Sequence, residues 1–326
     1  MASYLFRRLV SSLLLLLALL TLVFFLIHAA PGDPIDRYLS DEIDAEQRER
    51  LRHNLGLDQP LPVQYRRWLE GVVCHFDFGL SLRQHRPVAT ILLEAVPNTL
   101  LLTVSAYLIH LLAAVSGGIF MAHSRGRPLE RLVNISGLTL YSLPGFWLGL
   151  MMILLFSRQL GWLPMEGVSA PDAAFLPWHE QLWDRLRHLV MPACVLGLGS
   201  AMSTARYVRN SMLEVLSQDY VLTARAKGLP ERVVLGKHAL RNGLLPLITL
   251  IGLNLPLLLG GAVVIEYIFA WPGMGRVAIE AIQMRDYPVI LGTTALSAVL
   301  VVLGSFLADL AYTAADPRVR LTGRRP

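Results

Sequence analysis

Asp219-Tyr-Val-Leu-Thr-Ala-Arg-Ala-Lys-Gly-Leu-Pro-Glu-Arg-Val-Val-Leu-Gly-Lys-His-Ala-Leu-Arg-Asn242 is a polar, basic island between two stretches apolar enough to lie in lipid. Asp219 has the chemistry of an N-cap, Tyr220 to Lys227 reads as a short helix, and Gly228 followed by Pro230 is a stop signal. A second short helix is expected from Glu231. Helices this short are marginal in water by themselves. The island is therefore expected to dock, and small Ala224, Ala226 and Gly228 leave room for close approach.

Composition fixes the setting. The chain has 326 residues, of which 54% are hydrophobic and 16% charged, and its mean hydropathy is +0.50. Soluble domains carry roughly 25% charge, so this is membrane-protein composition. The net charge of +5 is almost all arginine, since Lys227 and Lys237 are the only lysines and both lie in the island. Positive residues flanking apolar segments read as topology determinants rather than as a nucleic-acid surface. Two cysteines, Cys74 and Cys194, are too few for a disulfide framework.

Apolar runs at 9–27, 99–122, 132–156, 189–208, 244–268 and 288–313 are each long enough to cross a hydrocarbon layer of roughly 30 Å. The first is too long for the core of a cleaved signal peptide, and His28-Ala29-Ala30 lacks the small residue such a site needs. The expected architecture is an all-α polytopic membrane protein with six spans. Its parts are residues 1–30 (N-terminal tail and first span), 31–98 (a large extracytoplasmic loop) and 99–326 (the core, including the loop at 209–243 that holds the island). A cytoplasmic N-terminus gathers Arg7, Arg8, Arg125, Arg127, Arg131, the island, Arg318, Arg320, Arg324 and Arg325 on one side, which places both termini in the cytoplasm. Within 31–98, Pro31-Gly-Asp-Pro34 forces a turn and Asp41 to Asn54 reads as a charged helix.

Three features inside the spans carry expectations. Ala193, Gly197, Ala201 and Ala205 repeat every four residues as a ridge of small side chains, suited equally to packing within this chain or against a partner subunit. Pro144-Gly145 and Pro256 are expected to kink or open their helices. Asn254, Glu266 and Asp309 are polar at membrane depth. Glu266 and Asp309 lie near helix ends, where reaching water is the plainer expectation. Pro144, Asn254, Pro256 and Glu266 are thus the candidate pathway or hinge residues.

Catalytic chemistry is hard to find. A phosphate-cradling loop needs Gly, four residues, then Gly-Lys-Ser/Thr. The one Gly-Lys pair, Gly236-Lys237, has Glu231 where the first glycine belongs and is followed by His238. The histidines lack metal-ligand spacing. Ser200 with His110 is the one candidate for an intramembrane dyad, but Ala201 stands where such a protease would normally carry glycine. The plainer expectation is that Ser200 belongs to the ridge and His110 makes a local hydrogen bond.

The island resembles the coupling loop of ATP-binding-cassette import permeases, whose signature is Glu-Ala-Ala, three residues, Gly, nine residues, Ile-x-Leu-Pro. Ala224, Gly228 and Leu240 fit, while Leu222, Thr223, His238 and Arg241 replace Glu, Ala, Ile and Pro. Those departures match the dipeptide, oligopeptide and nickel branch, where Thr-Ala-Arg-Ala-Lys-Gly-Leu and His-x-Leu-Arg-Asn are customary. Pro31-Gly-Asp-Pro34, Leu55-Gly-Leu-Asp-Gln-Pro60, Asp77-Phe-Gly79, Phe269-Ala-Trp-Pro-Gly-Met-Gly-Arg276, Arg285-Asp-Tyr-Pro288 and Asp316-Pro-Arg-Val-Arg320 are similar to the same branch in order and distance. Only the loop from Arg158 to His188 carries no assignable motif.

What the resemblance implies is a non-catalytic permease subunit in a bacterial inner membrane that moves di- or oligopeptides, or else nickel, a metal chelate or glutathione. It would work with a second homologous permease, two ATPases, an extracytoplasmic substrate-binding protein and the surrounding membrane lipid, and not with nucleic acid. ATP and magnesium would bind the ATPases, and this chain would hold no cofactor or metal. The coupling residues would be Asp219, Tyr220, Thr223, Ala224, Arg225, Ala226, Lys227, Gly228, His238, Leu240, Arg241 and Asn242. A transporter driven by an ion gradient is the alternative from another class, but neither a clear internal repeat nor a carboxylate in the centre of a span supports it.

Overall fold

The computed structural model describes residues 2–29, 50, 53, 58–230, 233–244 and 262–315. Its named elements are all helical, with one isolated bridge between Leu80 and Pro87. In chain order these are α1 (Ala2–Ala29), α2 (Leu61–Glu70), α3 (Val88–His123), α4 (Pro128–Ser142), α5 (Gly145–Met152), α6 (Trp178–Leu216), α7 (Asp219–Ala226), α8 (Leu240–Gly243), α9 (Met274–Met284) and α10 (Tyr287–Ala315). Wider π turns extend α2 over Gly71–His75 and α5 over Ile153–Gln159, and another, Val234–Ala239, precedes α8.

Four helices among the described residues are long and apolar enough to cross a membrane, in α1, α3, α6 and α10, and the bent pair α4–α5 makes a fifth if counted as one span. The remaining expected span, 244–268, lies mostly outside the described residues, as do Asn254 and Pro256. So do the Pro31–Pro34 turn, most of the expected helix from Asp41 to Asn54, and the Asp316–Arg320 motif.

Two helices run well beyond the apolar cores that hydropathy marks. In α3 the extra N-terminal turns are held by Val88, Ile91, Leu92 and Ala95, all buried at helical spacing although Glu94 and Asn98 interrupt the oily pattern. In α6 the added N-terminal turns carry polar Glu180, Gln181, Asp184 and Arg187, which lets the helix continue past the hydrocarbon. The unassigned loop 158–188 resolves into the end of the α5 extension, a 3-10 turn at Ala173–Phe175 and these first turns of α6.

Of the two outcomes expected at Pro144, a kink or an opening, the span shows the second. Leu143 and Pro144 are extended, with ψ of 137° and 132°, and α4 meets the α5 segment at 103°. The cause is local: proline has no N–H to donate, and the residue before it is driven out of the helical region.

Two compact units can be described separately, one formed by Met1–Tyr4, Leu100–Trp271 and Leu303–Pro326, the other by Leu5–Thr99 and Pro272–Val302. The first packs the inner part of α3 on α6. Gly197 lies so close to the carbonyl oxygen of Ala106 that an added methyl would overlap it, and a Cβ at Gly118 would lie 2.6 Å from Val208 Cβ and 2.7 Å from the Ala205 oxygen. The ridge at Ala193, Gly197, Ala201 and Ala205 is buried within this chain, which decides between the two packings the sequence left open.

The second unit gathers Leu20, Phe78, Val88, Leu92, Ala281 and Val289 into one cluster. Its polar pin is buried Asp286, whose carboxylate accepts hydrogen bonds from Ser81 Oγ at 2.6 Å, Leu82 N at 3.2 Å and Arg83 N at 3.3 Å. Asn98 Nδ2 donates to the Pro272 carbonyl at 2.9 Å and Met274 N to Thr99 Oγ1 at 2.8 Å. These bonds fasten the loop following α2, and the start of α3, to the region around α9.

Candidate functional site

The polar island is built outward from the end of α6. Ser217 closes that helix, Gln218 is extended at φ −76° and ψ 145°, and α7 begins at Asp219. Gln218, not Asp219, is therefore the N-cap, and it makes no side-chain capping bond. Asp219 sits instead in the first turn, where a carboxylate complements the exposed N–H groups of the helix. Thr223 Oγ1 donates to the Asp219 carbonyl at 2.8 Å. At the other end Gly228 takes φ +75°, its N–H reaches the Arg225 carbonyl at 2.9 Å, and Leu229 N reaches Ala224 O at 3.4 Å. This is the left-handed stop that glycine permits.

One face of α7 holds the helix and the other is open. Val221 and Ala224 are buried against Val234, with Val215 and Leu216 beside them. Ala224 therefore faces this chain rather than outward, as i, i+3 spacing from Val221 requires. Tyr220, Leu222, Thr223, Arg225, Ala226, Lys227 and Gly228 are exposed. Leu222, which stands where the signature has Glu, and Leu229 are apolar yet exposed.

The rest of the island is anchored to the long helices. Ala239 is buried with Ala122, Val208 and Met212, and Leu240 packs on that cluster. Ser211 Oγ donates to the Gly243 carbonyl at 2.9 Å. The side chains of His238, Arg241 and Asn242, and residues Glu231 and Arg232, lie outside the described residues. Nearby, Arg209 Nε donates to Glu130 Oε1 at 2.6 Å while Glu130 Oε2 accepts from Gly126 N at 2.6 Å. That ion pair joins the start of α4 to α6. Its residues are separated by an entire span in sequence, so nothing local announced it.

The intramembrane candidates fare differently. Glu266 is fully buried, within helical residues 262–268, between Ile265 and Phe269 of an apolar cluster. Being near a helix end does not bring it to water, contrary to the plainer expectation. His110 is buried too, with Nδ1 3.0 Å from Ser200 Oγ and Nε2 3.1 Å from Thr204 Oγ1. Both ring nitrogens are thus engaged by hydroxyls one helical turn apart on α6. The serine and histidine do meet, but as part of a clasp between α3 and α6. A catalytic triad sets its serine on Nε2 and its carboxylate on Nδ1, whereas here Ser200 takes Nδ1 and Thr204 takes Nε2.

The family described as "Binding-protein-dependent transport system inner membrane component" matches residues 114–321, and its N-terminal companion matches residues 1–103. Among relatives, the oligopeptide transport system permease protein AppB of Bacillus subtilis (strain 168) is 40% identical over 320 residues, spanning 98% of this chain and 99% of that one. The glutathione transport system permease protein GsiC of Escherichia coli (strain K12) is 37% identical over 320 residues with the same coverage. A solved structure described as inward facing conformations of the MetNI methionine ABC transporter aligns with TM-score 0.55 and 21% identity, covering 70% of this chain and 97% of that one. That last likeness concerns the fold. The chain belongs to the family of inner membrane components of binding-protein-dependent transport systems.

Proposed function

We propose that this chain forms half of the pathway of an ATP-driven peptide importer and that α7 is its coupling helix. A second homologous permease completes the pathway, two ATPases dock on the cytoplasmic face, and an extracytoplasmic binding protein delivers substrate. The 40% identity to an oligopeptide permease across nearly the whole chain supports peptides as cargo. The 37% identity to a glutathione permease makes that peptide-like thiol the second candidate. ATP and magnesium belong to the partner ATPases.

The single observation that carries the coupling role is the two-faced character of α7. A buried inner face of Val221 and Ala224 ties it to the end of α6, leaving Tyr220, Thr223, Arg225 and Lys227 outward. A motor protein gripping the outer face would transmit its movement into α6 through that packing. ATP-driven closure of the ATPases would then bias the spans between inward-open and outward-open states.

The test is Gly228→Trp. A Cβ at Gly228 meets nothing within 4 Å, so the side chain starts in open space, although the φ of +75° strains any residue other than glycine there. Gly228 is exposed at the end of α7. The variant should reach the membrane in normal amount and lose uptake; normal uptake would remove α7 from the coupling interface.

A further inference from the structure

We infer that the unit formed by Leu5–Thr99 and Pro272–Val302 carries a built site for one glycerophospholipid, with the phosphate at Arg285 and an acyl chain in the apolar cavity beside it. That cavity, of about 530 Å³, is walled by Val23, Leu26 and Ile27 from the last turns of α1, Ile282 from α9, and Tyr287 and Ile290 from the start of α10. Arg285 is its one charged wall residue. The volume lies within the range of small-molecule sites, about 300–1,000 Å³.

Arg285 is placed there by the backbone. It closes α9 in the left-handed conformation at φ 57° and is half-buried. Among the described residues its guanidinium has no hydrogen-bond or ion-pair partner. The adjacent carboxylate is occupied elsewhere, since Asp286 is buried and accepts from Ser81, Leu82 and Arg83. The next cation along, Arg276, is paired with Glu280 at 2.8 Å. A guanidinium set in an apolar wall at a membrane helix end is stabilised by an incoming anion, and phosphate suits its forked donors.

The occupant must also have an apolar part. Tyr287 is shared with a second cavity of about 400 Å³ whose wall includes His28, Arg67, Trp68 and Asp77. An apolar compartment headed by one cation therefore adjoins a compartment bearing both charges, which matches a headgroup joined to an acyl chain. The apolar cavity faces the outside of the chain: Leu26 and Ile282 are each 60% exposed. Tyr287 stands at the start of apolar α10, the level at which interfacial aromatics sit, and an exposed apolar wall at that level suits lipid. A free anion would not use the apolar wall.

The test uses the assembled wild-type transporter, without nucleotide, in bilayers containing phosphatidylglycerol with a photoactivatable acyl chain, read by peptide mass spectrometry. Label should concentrate on Val23–Ile27 and on Ile282–Ile290 relative to the exposed Leu13–Leu15 of the same helix. It should fall about tenfold in Arg285→Gln, the loss expected for one charge-assisted hydrogen bond. Ile290→Trp, which fills the cavity and leaves the arginine, should also reduce it. Even labelling along α1 in the wild type would mean ordinary bulk lipid and overturn the site. Displacement by excess inorganic phosphate would reduce it to an anion site, and crosslinking of Leu26 to a neighbouring subunit would make it a protein interface; either result would also overturn it. α7 lies in the other unit, so failure here leaves the coupling role untouched.

Discussion

His110, Ser200 and Thr204 set out what a single residue can mean inside a membrane. A serine within 3.0 Å of a histidine nitrogen has the geometry of a nucleophile and its base. The buried ring is nevertheless held on both sides by hydroxyls, 3.1 Å away on the second, and satisfying both nitrogens of a neutral imidazole needs one donor and one acceptor. The consequence is structural. Ser200→Ala should leave transport close to the wild-type rate, whereas His110→Leu should lower stability by about 1–3 kcal/mol because it leaves the buried Thr204 hydroxyl without its partner. Thermal unfolding and uptake of the two purified variants check both statements, and abolished uptake in Ser200→Ala would restore a chemical role. The spacing of Ser200 and Thr204 by one helical turn was visible in the sequence. Which of the nine histidines they would meet depended on the α3–α6 register, which no local pattern encodes.

At the scale of elements, the close approach of α3 and α6 is set by glycine at particular turns. Gly197 faces the Ala106 carbonyl, a backbone atom that cannot move aside, whereas Gly199, two residues on, has nothing within 4 Å of where a Cβ would stand. Gly197→Ala should therefore overpack and destabilise by about 1–3 kcal/mol. Gly199→Ala should be neutral or stabilise by about 0.5–1 kcal/mol through helix propensity. Melting temperatures of the two proteins in detergent decide the matter, and equal values would contradict the packing. The ridge itself was legible because residues four apart share a helix face; its partner was not. Element ends were the least legible feature. Hydropathy reads the oily middle of α6 and misses Trp178 to His188, and it misses the turns from Val88 onward because Glu94 and Asn98 hide a buried stripe that only i, i+3 and i+4 spacing reveals. Pro144 was read as kinking or opening its helix, and it opens it into a 103° break, since Leu143 also leaves the helix.

For the whole molecule, composition and recurring apolar runs made an all-helical membrane protein legible before any coordinates, the motif resemblance made it a permease, and the family match over residues 114–321 agrees. Long-range polar ties were not legible: Asp286 with Ser81 and Glu130 with Arg209 pair residues whose identities say nothing about each other. The arginine distribution carries an expectation at this scale. In a Cys74→Ser, Cys194→Ser background, single cysteines at Ala2 and Gly323 should both react with an impermeant thiol reagent only from the cytoplasmic side, and labelling of either from outside would reverse the topology. Coupling is also a property of the assembly. The most direct measurement places single cysteines at Thr223 and Lys227, on the open face of α7, and at buried Val221, in an assembled transporter that retains uptake. Thr223 and Lys227 should crosslink to the ATPase, in a yield that changes with ATP, and Val221 should not. A working transporter in which neither outward position ever captures an ATPase would contradict the coupling role of α7.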